Sequence, residues 1–550
     1  MRLPYSKLTF AVVTNSLLSM VPAGYHLIVL NNVETVIETF VEASFYAHYG
    51  YQLSGIGLYC LWAFIVACLA LGALFGCFWS VWMSAKFGRK RTLMIWNNLL
   101  LFTASIVYGL AKPLNCFELL ALGRFLTGMF SGAAVALLAA YTSECSPADF
   151  RGPLSCLFHT FMTLGCALGA FLGTDDLLGT DDLWPYLLVF PALFGLIQLC
   201  FVPSIRESPK WLHFKEPFSA RSISAVHFYH GPYADAHQLL ENIDREAREA
   251  PEELSFSRAM HLPPYRRRML LGALVNFAQV YTGLMAIVSY STTILTSLGI
   301  SNDLAQYVTA FGCLLCVFLS LPALYYVERV GRRPLLVRTL ALLTLINAAL
   351  MVTGVLIEES VGGTTVKVLF VLAMLSFLVA YNAGPGPVAY FICGELAPLR
   401  IRSSFLAVGV CVNWLSTMTS TFIFYTGKCT LHVFRLRHFC IFIYTPVYPL
   451  DAVIGSWSFL LFVLPTAFST YMLWRKLPET RGRALGALAA EGDGPGSDPT
   501  ADPLSLAYRH PDDDQAKLIH KDSWSESDST SISDSTGLPK PKAYGTFLAG

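Results

Sequence analysis

An all-α membrane protein, with twelve helices in two six-helix bundles, is the fold class that this 550-residue sequence predicts. Three observations predict it. Hydrophobic residues make up 54% of the chain and charged residues only 14%, where an ordinary soluble domain is about a quarter charged. The apolar residues fall in blocks of roughly 20, the length that crosses a bilayer as a helix. The chain also repeats itself. Phe87-Gly88-Arg89-Lys90-Arg91, then E-x-x-P-x-x-x-R from Glu144 to Arg151, then Glu207-Ser208-Pro209 are echoed in the same order. The echoes are Val330-Gly331-Arg332-Arg333, the same E-x-x-P-x-x-x-R from Glu395 to Arg402, and Pro478-Glu479-Thr480.

Each expected span has its own signal. Span one, 8–30, is too long and too weakly flanked for a cleaved signal peptide. It holds His26 and Asn31 but no acidic residue. Span two, 57–83, stops at the first basic motif, and span three, 93–111, follows it. Span four, 118–140, runs into Glu144 and carries Arg124, a costly intramembrane charge that calls for a partner near the cytoplasmic end. Span five, 153–174, starts after Arg151, and span six, 185–204, ends before Glu207. The second half repeats the scheme with 269–292, 304–327, 334–357, 366–393, 403–425 and 453–475. Gly384-Pro385-Gly386-Pro387 interrupts span ten. Its prolines remove backbone donors, which suits a gating hinge lining a cavity or a static kink.

The domain expectation is a bundle over 1–204, a cytoplasmic linker over 205–267, a bundle over 268–483 and a disordered tail over 484–550. Within the linker, 241–249 reads as a short mixed-charge helix, either solvated or a latch under the bundle. The tail is too polar to fold alone. Its Ser523–Ser529 stretch is either a phosphorylation site or idle. Tyr425–Ile443 puts Lys428, Arg435 and Arg437 on the wrong side and reads as an insertion or a gene-model error.

Charge orients the chain. Lys86, Arg89, Lys90, Arg91, Arg151, Arg329, Arg332, Arg333, Arg400 and Arg402 share one side, and Glu34, Glu38, Glu42, Asp175, Asp176, Asp181 and Asp182 the other. By the positive-inside rule both termini are cytoplasmic, with the plasma membrane as the default location. A net charge of +1 gives no support for nucleic-acid binding. The 14 cysteines are scattered, so neither a metal site nor a disulfide framework is expected. No cofactor is implied. No Walker-type or nucleophile-elbow motif points to ATP drive or to an enzyme. Duplication in an apolar chain instead points to a two-halved carrier with its site at the seam.

The ordered motifs resemble the sugar porters of the major facilitator superfamily, most of all the animal facilitative glucose transporters. The matching residues include Gly123-Arg124, Tyr141-Thr142-Ser143-Glu144, Glu207–Leu212, Val327–Arg333, Gly384–Pro387, Asn413-Trp414 and Pro478–Arg483. The resemblance implies alternating access, a sugar or polyol as partner within the bilayer, and gating ion pairs. These would draw on Arg89, Glu144, Arg151, Glu207, Glu328, Arg332, Glu395 and Arg402. If such pairs cross the two halves, they hold the cytoplasmic side shut. Oligomeric state is not readable.

The resemblance also implies a sugar site, and there the chain departs from the family. The span-five Gln position holds His159. Gln279 is kept, but its neighbour is Val280 and the later Asn is Met285. Asn382 replaces the acid before the hinge, and Tyr390 replaces a Trp. Asn413 and Trp414 survive, while the next Asn is Thr417. Three readings follow: a hexose carrier of altered preference, a carrier of another small polyol or less polar solute, or a non-transporting sensor. Without an acid in span one, uncoupled diffusion is favoured.

Overall fold

The computed structural model describes residues 5–53, 55–248, 256–284, 287, 302–358, 363–397, 401–434 and 459–480. They all fall within one compact unit, 1–490. The expectations for the tail, Glu249, Met285, Arg400 and 435–443 lie outside these residues, as do the side chains of Lys428 and Glu328.

Every expected span has its helix. The first half comprises α1 (Ser6–Asn32), α2 (Glu34–Tyr49), α3 (Gly55–Phe87), α4 (Arg89–Ala111), α5 (Phe117–Cys145), α6 (Ala148–Leu172) and α7 (Trp184–Cys200). A π-turn over Thr92–Trp96 interrupts α4. The linker forms α8 (Pro209–Lys215), α9 (Ala220–His230), α10 (Ala236–Arg248) and α11 (Phe256–His261). The second half follows with α12 (Pro263–Tyr281), α13 (Asn302–Ser320), α14 (Ala323–Val330), α15 (Arg332–Glu358) and α16 (Gly363–Ala383). It closes with α17 (Pro385–Leu396), α18 (Arg402–Phe434) and α19 (Leu460–Lys476).

α2 corrects a sequence expectation, since the acidic stretch after span one reads as a loop. Val33, Ile37, Val41 and Ser44 recur at helical spacing and are buried. They pack with Trp62, Phe117 and Trp184, and that apolar face overrides the surface charges. The depth expected for Arg124 is also corrected. It lies two turns into α5 from the end remote from Glu144, and its Nη1 donates to the His26 carbonyl at 2.6 Å.

Helices in hydrocarbon gain little from apolar burial against one another, so close backbone approach has to hold them together. The first half achieves it with glycine. A methyl added at Gly72 or Gly76 of α3 would fall on the carbonyl of Phe125 or Met129 in α5. One at Gly128 or Gly132 of α5 would fall on that of Leu69 or Ala73 in α3. Gly24 of α1 and Gly165 of α6 meet each other's helix in the same way, at the carbonyls of Met162 and Val21. The second half differs. Among its described glycines, Gly272, Gly394 and Gly409 come closest to side chains, Gly312 faces open space, and only Gly272 also nears another helix's backbone, at the Cys393 Cα, 3.3 Å away.

The linker helices pack under the first half. Tyr229 of α9 is buried beside Leu8, Val12 and Cys145, and its hydroxyl lies 2.7 Å from that of Tyr141 on α5. His213 of α8 bonds Asp244 of α10 at 2.9 Å. Leu240 and Ile243 of α10 pack on Val226 of α9. The helix read at 241–249 is therefore part of a docked layer.

Two predictions follow. Gly132→Leu is expected to lower thermal stability in detergent by at least about 1–3 kcal/mol, the range for overpacking; an unchanged melting temperature would refute the close-approach account. Burial and the charges of Lys210 and Arg151 lower the His230 imidazole from 6.5 to about 4. Undocked, it returns to near 6.5, so the undocked state binds more protons between those values. Linker docking is therefore fully present above that window and lost as pH falls through it. Hydrogen exchange of the α9 amides should accelerate on acidification, and His230→Phe should flatten that dependence.

Candidate functional site

Three remote motifs meet in one knot at the basic end of each half. Gly88 opens α4 with φ 95°, and Gly331 opens α15 with φ 95°, a conformation that favours glycine. The helix start after each presents unpaired N–H groups and the positive end of the helix dipole. A carboxylate caps each. Glu207 accepts from the N–H groups of Lys90 at 2.8 Å, Arg91 at 3.4 Å and Ser208 at 2.9 Å. Glu479 accepts from those of Arg332 at 3.0 Å, Arg333 at 3.1 Å and Thr480 at 3.0 Å. Burial pushes the Glu207 carboxyl up, while these donors and Arg89 pull it down.

A second carboxylate completes each knot. Glu144 of α5 takes Arg89 Nε at 3.0 Å, Arg89 Nη2 at 2.9 Å and the Ser208 hydroxyl at 2.6 Å. Glu395 of α17 takes Arg332 Nη2 at 3.5 Å and the Thr480 hydroxyl at 2.5 Å. Both described Arg–Glu pairs therefore lie within a half, where the sequence reading allowed for pairs across the seam. Arg402 is buried at the start of α18. Arg151 Nη2 donates to the Ser146 carbonyl at 3.3 Å.

The described side-chain contacts across the seam are uncharged or carry one charge, and α6 supplies most of them. His159 Nε2 lies 2.9 Å from Asn382 Oδ1 on α16. The Tyr390 hydroxyl of α17 donates to the Met162 sulfur at 3.0 Å. Ser320 of α13 bonds Thr160 at 2.8 Å. Past the end of α6, Asp176 accepts from the Tyr307 hydroxyl of α13 at 2.6 Å.

At this seam lies a cavity of about 80 Å³. The first half contributes Leu27, Val135, His159, Met162, Thr163 and Cys166. The second contributes Asn276, Gln279, Val280, Tyr381, Tyr390, Asn413, Trp414 and Thr417, among others. A smaller cavity of about 60 Å³ shares Leu27, Thr163, Cys166 and Tyr381 with it and adds Asn31 and Asn382. All six residues named as sugar ligands from sequence thus converge on one place. Asn276, Thr163 and Tyr381 were missed; a polar residue one turn from Gln279 was the available signal for Asn276.

The polar groups are already engaged. Gln279 Nε2 donates to the Gly386 carbonyl at 2.9 Å, and Gln279 Oε1 accepts from Asn413 Nδ2 at 2.6 Å. Asn276 Nδ2 donates to the Gly272 and Ala389 carbonyls. Asn382 Nδ2 donates to the Leu378 carbonyl at 2.8 Å, so its Oδ1 must accept from His159. That fixes the proton of a neutral His159 on Nε2 and leaves Nδ1, which has no partner among the described residues, as an acceptor.

The hinge sits against this network. Gly384 separates α16 from α17, and a side chain there would fall on the Thr339 hydroxyl of α15. A methyl at Gly386 would come within 2.6 Å of His159 Nε2. Cys313 and Cys316 form a C-x-x-C pair on α13 that the sequence reading passed over. Among the described residues no group of three His, Cys, Asp or Glu gathers as metal ligands.

Comparison with known proteins adds three findings. The family model for "Sugar (and other) transporter" matches residues 11–491. Facilitated glucose transporter member 1 of Gallus gallus is 28% identical over 495 residues, spanning 89% of this chain and 95% of that protein. Member 4 of Homo sapiens is 30% identical over 489 residues, spanning 87% and 89%. Among solved structures, the proton:xylose symporter XylE bound to 6-bromo-6-deoxy-D-glucose superposes with a TM-score of 0.73 at 20% identity, covering 88% of this chain and 99% of that one. The inward-open form of XylE from E. coli gives 0.61 at 19% identity, covering 88% and 99%. These likenesses show the major facilitator fold.

Glu144→Gln removes one charge from the first knot while its second-half counterpart stays intact. Because its described partners Arg89 and Ser208 belong to the same knot, the change is expected to loosen that half, read as a lower melting temperature in detergent, with labelling of a cysteine engineered into the cavity unchanged. Faster labelling from the basic end would show that the knot also gates the seam.

Proposed function

The chain belongs to the sugar transporter family, and from that premise we propose that it carries a hexose by facilitated diffusion, through alternating access at the α6 seam. It is an integral, multi-pass membrane protein and not an enzyme. The reading places the basic end and both termini in the cytoplasm, and the carrier in the plasma membrane.

The Gln279 bridge supports this reading best. Gln279 and Asn413 are amides of the kind that bind sugar hydroxyls, and Gln279 also holds the hinge carbonyl at Gly386. A hydroxyl that takes the Gln279 amide releases that carbonyl. Binding and hinge motion then compete for one donor, which is how a ligand shifts a conformational equilibrium. His159 Nδ1 would accept a hydroxyl proton on the other wall. Trp414, Tyr381 and Tyr390 offer apolar faces to the sugar ring.

One observation favours a second reading. Much of the wall is apolar, with Leu27, Val135, Met162, Val280 and Val410 beside few uncommitted donors. A polyol or less polar solute would leave fewer hydroxyls unsatisfied there than a hexose.

No acid occurs in α1 to carry a coupling proton. His26, its one histidine, is buried against Tyr108 and near Arg124, away from the central cavity. That arrangement supports the reading of uncoupled flux.

Radiolabelled uptake in cells lacking hexose carriers tests the proposal, with glucose, fructose and a polyol panel. Saturable hexose uptake is expected, indifferent to an imposed proton gradient. Gln279→Ala should lower it by about tenfold or more, as loss of a buried hydrogen-bonding partner does. Polyol flux without hexose flux would select the second reading. No flux of any solute, with the protein at the surface, would reject both.

A further inference from the structure

A separate cavity of about 690 Å³ lies on the flank of the first half, between α4 and α7. It takes no part in the seam. It lies beside a break in α7, which runs Trp184–Val189, interrupts at Phe190 and Pro191, and resumes at Ala192–Cys200. The proline cannot continue the hydrogen-bond ladder; beyond it Gly195 packs on Phe102 and Gln198 bonds Asn98, which closes the deep end against α4.

From Phe102 and Ala192 at the deep end up to Gly109 and Val189 the walls are apolar except for Ser105, whose hydroxyl donates to the Leu101 carbonyl. Polar groups gather at the other end. Lys112 Nζ donates to the Asp181 carbonyl at 2.5 Å and lies 3.3 Å from Asp182 Oδ1 and 3.5 Å from Asp181 Oδ2. From Phe102 to Lys112 the helix rises about 15 Å, half of the hydrocarbon thickness of roughly 30 Å. The crevice is therefore as deep as one leaflet, and its polar mouth lies at the membrane surface remote from the basic end. Ile106 and Tyr186 on its rims are 63% and 67% exposed, so it opens toward the bilayer.

We propose that this crevice binds one acyl chain of a zwitterionic phospholipid from that leaflet. The chain lies along α4, the phosphate faces Lys112, and the headgroup ammonium faces Asp181 and Asp182. One amine beside two carboxylates matches a headgroup carrying both signs and opposes an anionic one. An apolar cavity open to hydrocarbon has no reason to hold water, which needs polar partners.

Native mass spectrometry of the full chain in mild detergent tests the proposal. Phosphatidylethanolamine, phosphatidylglycerol and cholesterol are added singly and in competition. One phosphatidylethanolamine per chain is expected to be retained, in preference to the other two. Gly109→Phe places its ring in the crevice, because a methyl at Gly109 comes no closer than 3.8 Å to Val189. It should lower retention about tenfold. Lys112→Ala with Asp182→Ala alters only the mouth of the crevice and should erase the headgroup preference. Retention unchanged by Gly109→Phe would overturn the proposal, as would equal retention of phosphatidylglycerol or displacement by cholesterol. The readout needs no transport, so it stands or falls apart from the sugar reading.

Discussion

A helix that begins at a buried place must find acceptors for its first N–H groups, and in each half of this protein a carboxylate meets that need. Glu207 caps α4 and Glu479 caps α15. Gly88 and Gly331 let the chain turn into those helices with the carboxylates close by. Arg89 and Arg332 then reach the second carboxylate, Glu144 or Glu395, which also takes a hydroxyl from Ser208 or Thr480. Three stretches far apart in sequence are drawn to one point, and the helices of the half are brought into register around it. Partly buried charge pairs of this kind are kept less for net stability than for the geometry they impose.

The seam between the halves is of a different character. It is made of apolar packing and single hydrogen bonds, centred on α6, and none of its described bonds joins two charges. Among these described bonds, parting the halves breaks no charge pair, and the Arg89–Glu144 and Arg332–Glu395 pairs each stay within one half. Dividing the labour in this way suits a machine whose halves must part and rejoin. The central cavity sits where that lightly bonded seam meets the broken helix α16–α17, so solute contacts and backbone freedom share the same few atoms.

The twelve helices were legible because hydrocarbon imposes a length and because duplicated motifs set a register. The convergence of Gln279, Asn413 and Trp414 was legible through the resemblance alone. The His159–Asn382 bond was not, since no spacing reports a contact across 223 positions. Helix α2 was hidden because its buried face is short and its charged face dominates the composition. The partner of Arg124 was expected near the cytoplasmic end because a backbone carbonyl, here that of His26, leaves no mark in the sequence. The pairing of arginines with glutamates was half legible: residue types and order pointed to ion pairs, but sequence could not say on which side of the seam each pair closes.

Duplication of motif did not bring duplication of stiffness. Backbone presses on backbone at the glycines between α3 and α5 and between α1 and α6, and the linker layer is fastened beneath that half; at the described glycines of the second half the closest neighbours are side chains, which can yield. Two copies of one ancestral unit have thus drifted into an anvil and a jaw. Sequence drift should be filtered unequally along such a chain. The rigid half tolerates little change in the size of its small residues, while the compliant half, which supplies most of the residues around the cavity, is left freer to be reshaped toward a new solute.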